Sequence, residues 1–132
     1  MAGLFWSEER ANSTTGHAEF RLCRSAMQQD CVIDGDTLRY GGMTIRLADI
    51  DAPETRQSRC ASEAALGRQA THALLAVMND GPFELVPVGF RDEDRYGRKL
   101  RVVARGGVSV GDALVERGLA RPWEGRRRSW CD

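Results

Sequence analysis

The sequence predicts a β-rich α+β domain, organised as a five-stranded Greek-key barrel of the OB type with two to three helices. Three features indicate this class: two short β-rich runs meet at a Gly-Gly pair, a long run with helical spacing follows them, and two further β-rich runs come after it. One helix between the third and fourth strands of a small β-rich chain is typical of this barrel. At 132 residues the chain has room for one core and therefore one domain.

The first part of the chain predicts an arm followed by strands. Residues 1–17 are mostly polar after Trp6 and predict a flexible N-terminal arm, which leaves residues 18–132 as the folded domain. The runs AEFRLC and DCVID predict two strands with a turn between them. The runs TLRY and MTIRLADI are rich in β-forming residues, and Gly41-Gly42 between them is a strong signal for a hairpin.

The second part predicts two helices around two strands. The run CASEAALGRQATHALLAVMN carries an apolar stripe at helical spacing, and Asp80-Gly81-Pro82 ends it. The runs PFELVPVGF and KLRVVAR predict strands, and VSVGDALVERG predicts a short helix that stops at Gly118. The tail LARPWEGRRRSWCD predicts irregular or weakly helical structure.

The charges balance overall but are unevenly distributed. Residues 91–128 hold eleven Lys or Arg against six Asp or Glu, a net of +5, whereas residues 1–60 hold seven against nine, a net of −2. An acidic cluster beside a basic half fits a bound cation next to a polyanion. Two solvated faces without a partner are the alternative. No apolar run approaches the roughly 20 residues of a membrane span, so we expect no membrane partner.

Four cysteines without a C-x-x-C pair predict disulfides rather than a zinc site. We expect Cys23 to pair with Cys31 across a hairpin, and Cys60 to pair with Cys131 and tie the tail to the first helix. Four cysteines allow three pairings, and four reduced thiols remain the alternative. Disulfides place the protein in the periplasm or outside the cell. The N-terminal run MAGLFWSEER does not resemble a signal peptide, which keeps a cytoplasmic location open.

Acidic residues cluster in the segment VIDGDTLRYGGMTIRLADIDAPET. Asp36 follows a tight bend, and Asp51 and Glu54 flank the rigid Ala-Pro turn that ends the third strand. Hard cations such as Ca²⁺ prefer several oxygen ligands, commonly carboxylates and backbone carbonyls. Strict strand alternation would put Arg46 and Asp51 on opposite faces, so the two can share a site only if the chain bends after Leu47 or Asp51 lies beyond the strand. The alternative is two turns whose acids only cap the local backbone.

Two arginines favour a site for a phosphoryl group. Arg46 interrupts an apolar strand, where a charge is costly unless it is paired or functional. Arg98 follows the turn Asp94–Gly97. Two arginines beside a cation held by carboxylates can clamp a phosphoryl group. A buried ion pair is the alternative for Arg46, and an exposed edge charge is the alternative for Arg98.

Four blocks between residues 30 and 123 resemble, in order, the successive blocks of the staphylococcal nuclease (thermonuclease) family: VIDGDT, IRLADIDAPET, DRYGRKL and GDALVERGLARPW. The resemblance implies an OB barrel and a calcium-dependent phosphodiesterase that cleaves DNA and RNA and leaves 3′-phosphate ends. It implies a set of site residues: calcium ligands Asp36, Asp51 and the Ala52 carbonyl, catalytic residues Arg46, Glu54 and Arg98, and substrate-binding residues Arg95 and Tyr96.

Three features depart from the family's type member. Ala52 stands where that member has threonine, which is tolerable if only the backbone binds. The hairpin between Asp36 and Arg46 is shorter, and the tail after Trp123 differs, so no stacking tyrosine carries over to it. Trp123 is a candidate replacement, with a core-capping indole as the alternative.

The sequence therefore predicts a monomeric nuclease that uses Ca²⁺, acts on DNA and RNA, prefers single strands and has little sequence preference. The rival from another class is a non-catalytic OB module that binds single-stranded nucleic acid or a protein partner. The complete set of acids and arginines favours the enzyme.

Overall fold

The structure, a computed structural model, describes residues 13–89 and 91–131. In these ranges the chain forms short strands and two helices. The strands are β1 (Thr14–Gly16), β2 (Arg21–Leu22), β3 (Cys31–Asp34), β4 (Thr37–Tyr40), β5 (Met43–Leu47), β6 (Ile50–Asp51), β7 (Phe83–Pro87), β8 (Lys99–Arg105), β9 (Val108–Ser109) and β10 (Arg121–Pro122). The helices are α1 (Ala61–Met78) and α2 (Val110–Glu116).

Most strands belong to one curled mixed sheet, in the order β1-β7-β8-β5-β4-β3-β2, with β9 paired to β8. β10 and β6 form a second, two-stranded sheet. The curled sheet with two helices is OB-like, as predicted, but the strands are shorter and more numerous than the predicted five. The reason is visible in MTIRLADI, where a turn at residues 48–49 separates β5 from β6.

β4 and β5 form the predicted hairpin. Tyr40 lies opposite Met43, and the two glycines between them have positive φ values of 58° and 84°. Only glycine adopts such values without steric cost, and consecutive positive φ values produce a turn whose twist matches the flanking strands. This hairpin places Asp36 before β4 and Arg46 near the end of β5, where the chain brings them together.

The predicted hairpin between the first two strands is wrong. β2 runs parallel to β3, with Arg21 opposite Cys31. The Gln28 side chain organises the connecting loop by accepting from the amides of Arg24 and Ser25 and donating to the Leu22 carbonyl. A loop built on side-chain hydrogen bonds leaves no turn signature of the Gly-Gly kind in the sequence.

Both predicted cysteine pairs lie at disulfide distance: Cys23 with Cys31 and Cys60 with Cys131. The first is formed by the parallel strands rather than by a hairpin. The second joins Cys131 in the tail to Cys60, the residue that precedes α1. Because residues 123–129 are exposed, this link rather than burial fixes the tail.

The sheet begins earlier than the predicted domain boundary at residue 18. β1 pairs with β7, and Gly16 lies opposite Phe83. A side chain at Gly16 would meet the Phe83 ring at 2.6 Å, so the small residue is required for this pairing. Residues 1–12, the rest of the predicted arm, lie outside the described residues, as does Phe90, the last residue of the predicted strand PFELVPVGF.

Both predicted helices are present. α1 begins and ends within one residue of the prediction, and its buried face packs on β3. The second predicted helix is shorter, because its first residues form β9 and Ser109 then caps α2 by accepting a hydrogen bond from the Gly111 amide. The tail predicted as irregular contains β10, which pairs with β6.

The core lies between the sheet and α1. Its fully buried members come from the sheet and the helix alike: Leu38, Ile45, Leu47, Leu74, Met78, Phe83 and Val103. Neither helix in the described part of the chain has the length and apolar character needed to cross a membrane.

Candidate active site

Asp36, Arg46 and Asp51 form a buried cluster at one end of β4, β5 and β6. All three are less than 8% exposed. Arg46 Nη2 lies 3.7 Å from Asp36 Oδ2 and 4.0 Å from Asp51 Oδ1. The alternative of a buried ion pair for Arg46 is therefore present in the structure, and it joins the residues that were predicted as site members.

The bend after Leu47 brings Arg46 and Asp51 to the same side. Arg46 Nη1 donates to the Leu47 and Ile50 carbonyls, and the distance to the Ile50 oxygen is 2.8 Å. The guanidinium therefore closes the turn at residues 48–49, where simple alternation would have separated the two side chains. β10 pairs with β6 and holds Asp51 from the other side, with Arg121 as its partner in register.

Asp36 is held by neutral donors. Its Oδ1 accepts from the Thr37 hydroxyl at 2.9 Å, and its Oδ2 accepts from the Ala52 amide at 3.0 Å. These bonds fix the carboxylate without neutralising it.

Asp51 presents an oxygen that fits a cation. Its buried Oδ1 has no hydrogen bond in the described residues and is paired only electrostatically, with Arg127 Nη1 at 3.3 Å and Arg46 Nη2 at 4.0 Å, although buried polar atoms in folded proteins are usually hydrogen-bonded. Burial raises the pKa of Asp51, whereas the neighbouring Arg127 lowers it. Two buried carboxylates with the nearby Ala52 carbonyl are hard oxygen donors of the type that Ca²⁺ takes. The predicted ligands are therefore oxygen donors of a kind suited to calcium.

Glu54 lies beside this cluster and is partly buried. Burial raises its pKa, Arg127 lowers it, and Asp36 and two other carboxylates raise it further. The backbone of Glu54 is fixed by Glu63, whose Oε2 accepts from the Glu54 amide at 2.9 Å and whose Oε1 accepts from the Arg59 amide at 2.9 Å. Glu63 is thus a positioning residue that the sequence reasoning missed, because it reads as an ordinary acid in the first turn of a helix.

Gly67 lets α1 approach the Glu54 segment. A Cβ atom at this position would lie 2.5 Å from the Glu54 carbonyl oxygen and 2.9 Å from Thr55 Oγ1. Backbone atoms cannot yield as a flexible side chain can, so any larger residue must push the helix and the Glu54 loop apart.

We expect Gly67→Ala to lower stability by about 1–3 kcal/mol through overpacking, and to lower kcat by displacing Glu54. Helix propensity alone acts in the opposite direction, since alanine in a helix interior is favoured over glycine by about 1 kcal/mol. Urea unfolding shows directly whether the variant is less or more stable than the wild type. A stabilised variant with full activity would show that the close approach to Glu54 is not a constraint.

Arg98, Tyr96 and Arg95 lie on another wall of the site. Arg98 Nε pairs with Asp94 Oδ2 at 2.6 Å and the side chain is 31% exposed, so Arg98 is neither an unpaired edge charge nor buried. Tyr96 is 68% exposed, and Arg98 and Arg95 both lie over its ring at 5.3 and 5.0 Å from the centroid. Hydrogen bonds from Arg98 and Tyr96 outweigh burial and keep the pKa of Asp94 below its usual range.

These elements enclose one groove of about 720 Å³. Glu54, Tyr96 and Arg98 line it together with residues that the sequence did not single out, among them Arg56, Arg59 and Arg127. Arg95 is not among its lining residues and reaches it only through Tyr96. Glu54 and Arg98 thus face the same space, whereas Asp36, Arg46 and Asp51 lie buried behind it.

Two further acids lie in this region: Asp34 ends β3, and Asp49 is in the turn between β5 and β6. Asp49 Oδ2 accepts from the Ser109 hydroxyl at 2.5 Å. Asp34 lines the groove, and burial, reinforced by the charge of Glu54, raises its pKa to about 7. Trp123 caps no core: it is 39% exposed and lies against Arg46, 5.4 Å from ring centroid to guanidinium carbon.

Arg127 is the largest omission from the sequence reasoning. Its Nη1 lies 3.1 Å from Glu54 Oε2 and 3.3 Å from Asp51 Oδ1, and its Nη2 donates to the Ala52 carbonyl at 3.4 Å. The only signal in the sequence was the run of three arginines at 126–128, in which nothing distinguishes the middle residue.

Comparison with known proteins agrees with the predicted resemblance. Residues 44–129 match the family model described as staphylococcal nuclease homologue. Endonuclease YncB of Bacillus subtilis (strain 168) is 34% identical over 119 residues, which cover 87% of this chain and 55% of YncB. The SPbeta prophage-derived endonuclease YokF of the same strain is 34% identical over 96 residues, which cover 70% of this chain and 32% of YokF.

A protein named uncharacterized endonuclease from Escherichia coli O157:H7 is also 34% identical, over 98 residues that cover 70% of this chain and 58% of that protein. The chain thus spans between about a third and three fifths of the length of these relatives. The family match covers more than half of this chain and includes Arg46, Asp51, Glu54 and Arg98. The chain belongs to the staphylococcal nuclease family.

Proposed function

We propose that this domain is a calcium-dependent phosphodiesterase that hydrolyses DNA and RNA with little sequence preference and leaves 3′-phosphate ends. The observation that carries the proposal is the convergence of Asp36, Arg46 and Asp51 on one buried cluster beside Glu54. Glu54 also shares a groove with Arg98. Relatives that carry the name endonuclease support the reaction class.

Asp36, Asp51 and the Ala52 carbonyl would hold the calcium ion. When bound, the ion supplies positive charge that polarises a phosphodiester oxygen and helps to bind the attacking water. The protein contributes a fixed position for these ligands, because Asp36 is held by the Ala52 amide and Asp51 is held on β6.

Glu54 is the candidate that orients or deprotonates the attacking water. It faces the groove, and its backbone is fixed by Glu63. A carboxylate whose pKa is raised by burial is a better proton acceptor than a fully solvated one.

Arg46 and Arg98 are the candidates that stabilise charge on the phosphoryl oxygens. Their planar guanidinium groups present paired donors that match phosphate geometry. Arginine stays protonated at neutral pH, so electrostatic stabilisation rather than proton donation is the role assigned to both.

The groove walls fit a nucleic acid strand. Exposed Arg56 and Arg59 extend the positive charge of Arg98, and exposed Tyr96 offers a ring for base stacking with Arg95 behind it. Basic grooves with aromatic rings bind single strands without reading sequence, which favours single-stranded substrates of both types. We assign the monomer as the active form, since one chain supplies every member of the site.

The cysteine pairs favour an oxidising compartment, so we place the protein in the periplasm or outside the cell.

Incubation of the purified protein with single-stranded DNA and RNA in millimolar CaCl₂ is expected to give a ladder of fragments, and excess EGTA is expected to abolish it. The matched control is Glu54→Gln, which keeps shape and removes the carboxylate. Products should resist polymerase extension until a phosphatase removes the 3′-phosphate. Intact substrates in calcium would refute the enzyme assignment and leave the non-catalytic binding module, which a filter-binding assay on the same samples would detect.

A further inference from the structure

We infer that Arg127 sets the calcium affinity of the site, because its guanidinium already contacts the oxygens that the cation needs. The inference rests on the proposed calcium site. It concerns a residue outside the predicted ligand and catalytic set, carried by the C-terminal tail rather than by the barrel.

Arg127 contacts three groups that a cation at this site would engage. Its two terminal nitrogens lie 3.1–3.4 Å from Glu54 Oε2, Asp51 Oδ1 and the Ala52 carbonyl oxygen. A calcium ion bound to Asp51 and Ala52 would have to lie about 2.3–2.6 Å from both oxygens. The Arg127 nitrogens already contact both of these oxygens, and two positive charges that share the same oxygens repel each other. Arg127 and the ion therefore compete for the same oxygens.

Arg127, rather than Arg46, is the displaceable cation. Arg46 is buried and bonded to the Leu47 and Ile50 carbonyls, so its removal would open the turn between β5 and β6. The Arg127 side chain is 45% exposed and borders the groove. It can rotate into the groove without uncovering the core.

The tail is arranged so that Arg127 stays near the site. Cys131 is joined to Cys60, and Arg121 packs over the Trp130 ring at 3.8 Å from its centroid. Arg121 Nη1 also donates to the Ser129 carbonyl at 3.0 Å. Both ends of the segment 121–131 are therefore attached, one through β10 and the other through the cysteine pair. A tethered arginine competes at a high effective concentration.

The test is calorimetric titration of CaCl₂ into three proteins at one ionic strength: wild type, Arg127→Gln and Arg128→Gln. Arg128 pairs with Glu124 at 3.1 Å, so its substitution removes the same charge from the neighbouring residue without touching Asp51 or Glu54. We expect Arg127→Gln to bind calcium roughly tenfold or more tightly than wild type. In the wild type, calcium binding has to break the charge-assisted contacts of Arg127, and in the variant those contacts are absent. Arg128→Gln should shift the affinity by less than about threefold, as screened surface charges do.

Thermal unfolding provides a second measurement. In EGTA, Arg127→Gln should melt below both other proteins, because Asp51 and Glu54 lose their counter-ion. At one fixed calcium concentration its melting temperature should rise by more than theirs, because stabilisation by a ligand grows with affinity.

Equal calcium affinity in wild type and Arg127→Gln would overturn the inference and leave the calcium site intact. An equal increase in calcium affinity in Arg127→Gln and Arg128→Gln would also overturn it, because the increase would then come from the change in net charge alone. No calcium binding by any of the three proteins would overturn the inference together with the proposed cofactor.

Discussion

Arg46→Lys is expected to lower kcat on single-stranded DNA by at least roughly 10²-fold, the loss typical of removing a transition-state hydrogen-bond donor. Lysine keeps the positive charge between Asp36 and Asp51 but is a point charge without a planar fork. It cannot reach the Leu47 and Ile50 carbonyls and both carboxylates at once, as the guanidinium does. We choose lysine rather than alanine because alanine would leave the buried Asp36 carboxylate without its cationic partner, a change that typically costs about 3–5 kcal/mol.

Arg98→Lys provides an independent measurement, because Arg98 is 31% exposed and its substitution threatens the fold less. It should also lose roughly 10²-fold in kcat if it contacts the phosphoryl oxygens. Arg117→Lys, an exposed arginine at the end of α2, is the matched control and should retain full activity. Circular dichroism checks folding in each case. Near-normal kcat for Arg46→Lys would assign Arg46 to the turn alone.

The sequence could predict those site residues whose placement has an energetic cost that the neighbouring residues in the sequence already reveal. An arginine inside an apolar strand has to find a partner, and Arg46 finds Asp36 and Asp51. Side-chain alternation along one straight strand would put Arg46 and Asp51 on opposite faces. A shared site therefore required a break in that strand, and the structure has it as the bend after Leu47. The Gly-Gly hairpin and α1 were predicted for similar reasons, since turn chemistry and helical spacing are both local.

The rest depends on contacts between distant segments. Arg127 is 73 residues after Glu54 in sequence, and only the path of the tail brings it to Glu54 rather than Arg126 or Arg128. Glu63 reads as a helix-start acid, and its bond to the Glu54 amide depends on how the loop folds back. The parallel pairing of β2 with β3 likewise follows from a loop held by side chains, and no short turn motif encodes it.

The largest expected change in stability comes from the cysteine pair that closes the tail. Replacing both members, Cys60→Ala with Cys131→Ala, should lower the free energy of unfolding by about 4 kcal/mol in the chain-entropy model, since the pair spans 71 residues. That figure is an upper value, because a real unfolded chain is more compact than the model chain. The exposed residues 123–129 offer little burial to compensate for the loss.

Urea unfolding without reductant measures the loss, and the wild type unfolded in reductant is the control. Reduction also opens the Cys23–Cys31 pair, so the reduced wild type should lose more stability than the double variant does. Peptide mapping of protein prepared without reductant should recover Cys60 linked to Cys131 and Cys23 linked to Cys31. Four free thiols would remove both pairings and with them the assignment to an oxidising compartment. A double variant as stable as the wild type would show that the Cys60–Cys131 link does not stabilise the fold. The Cys60–Cys131 link also restrains Arg127, so its loss should change calcium binding in the same direction as Arg127→Gln. Stability and cation affinity would then both depend on one covalent bond that lies outside the barrel.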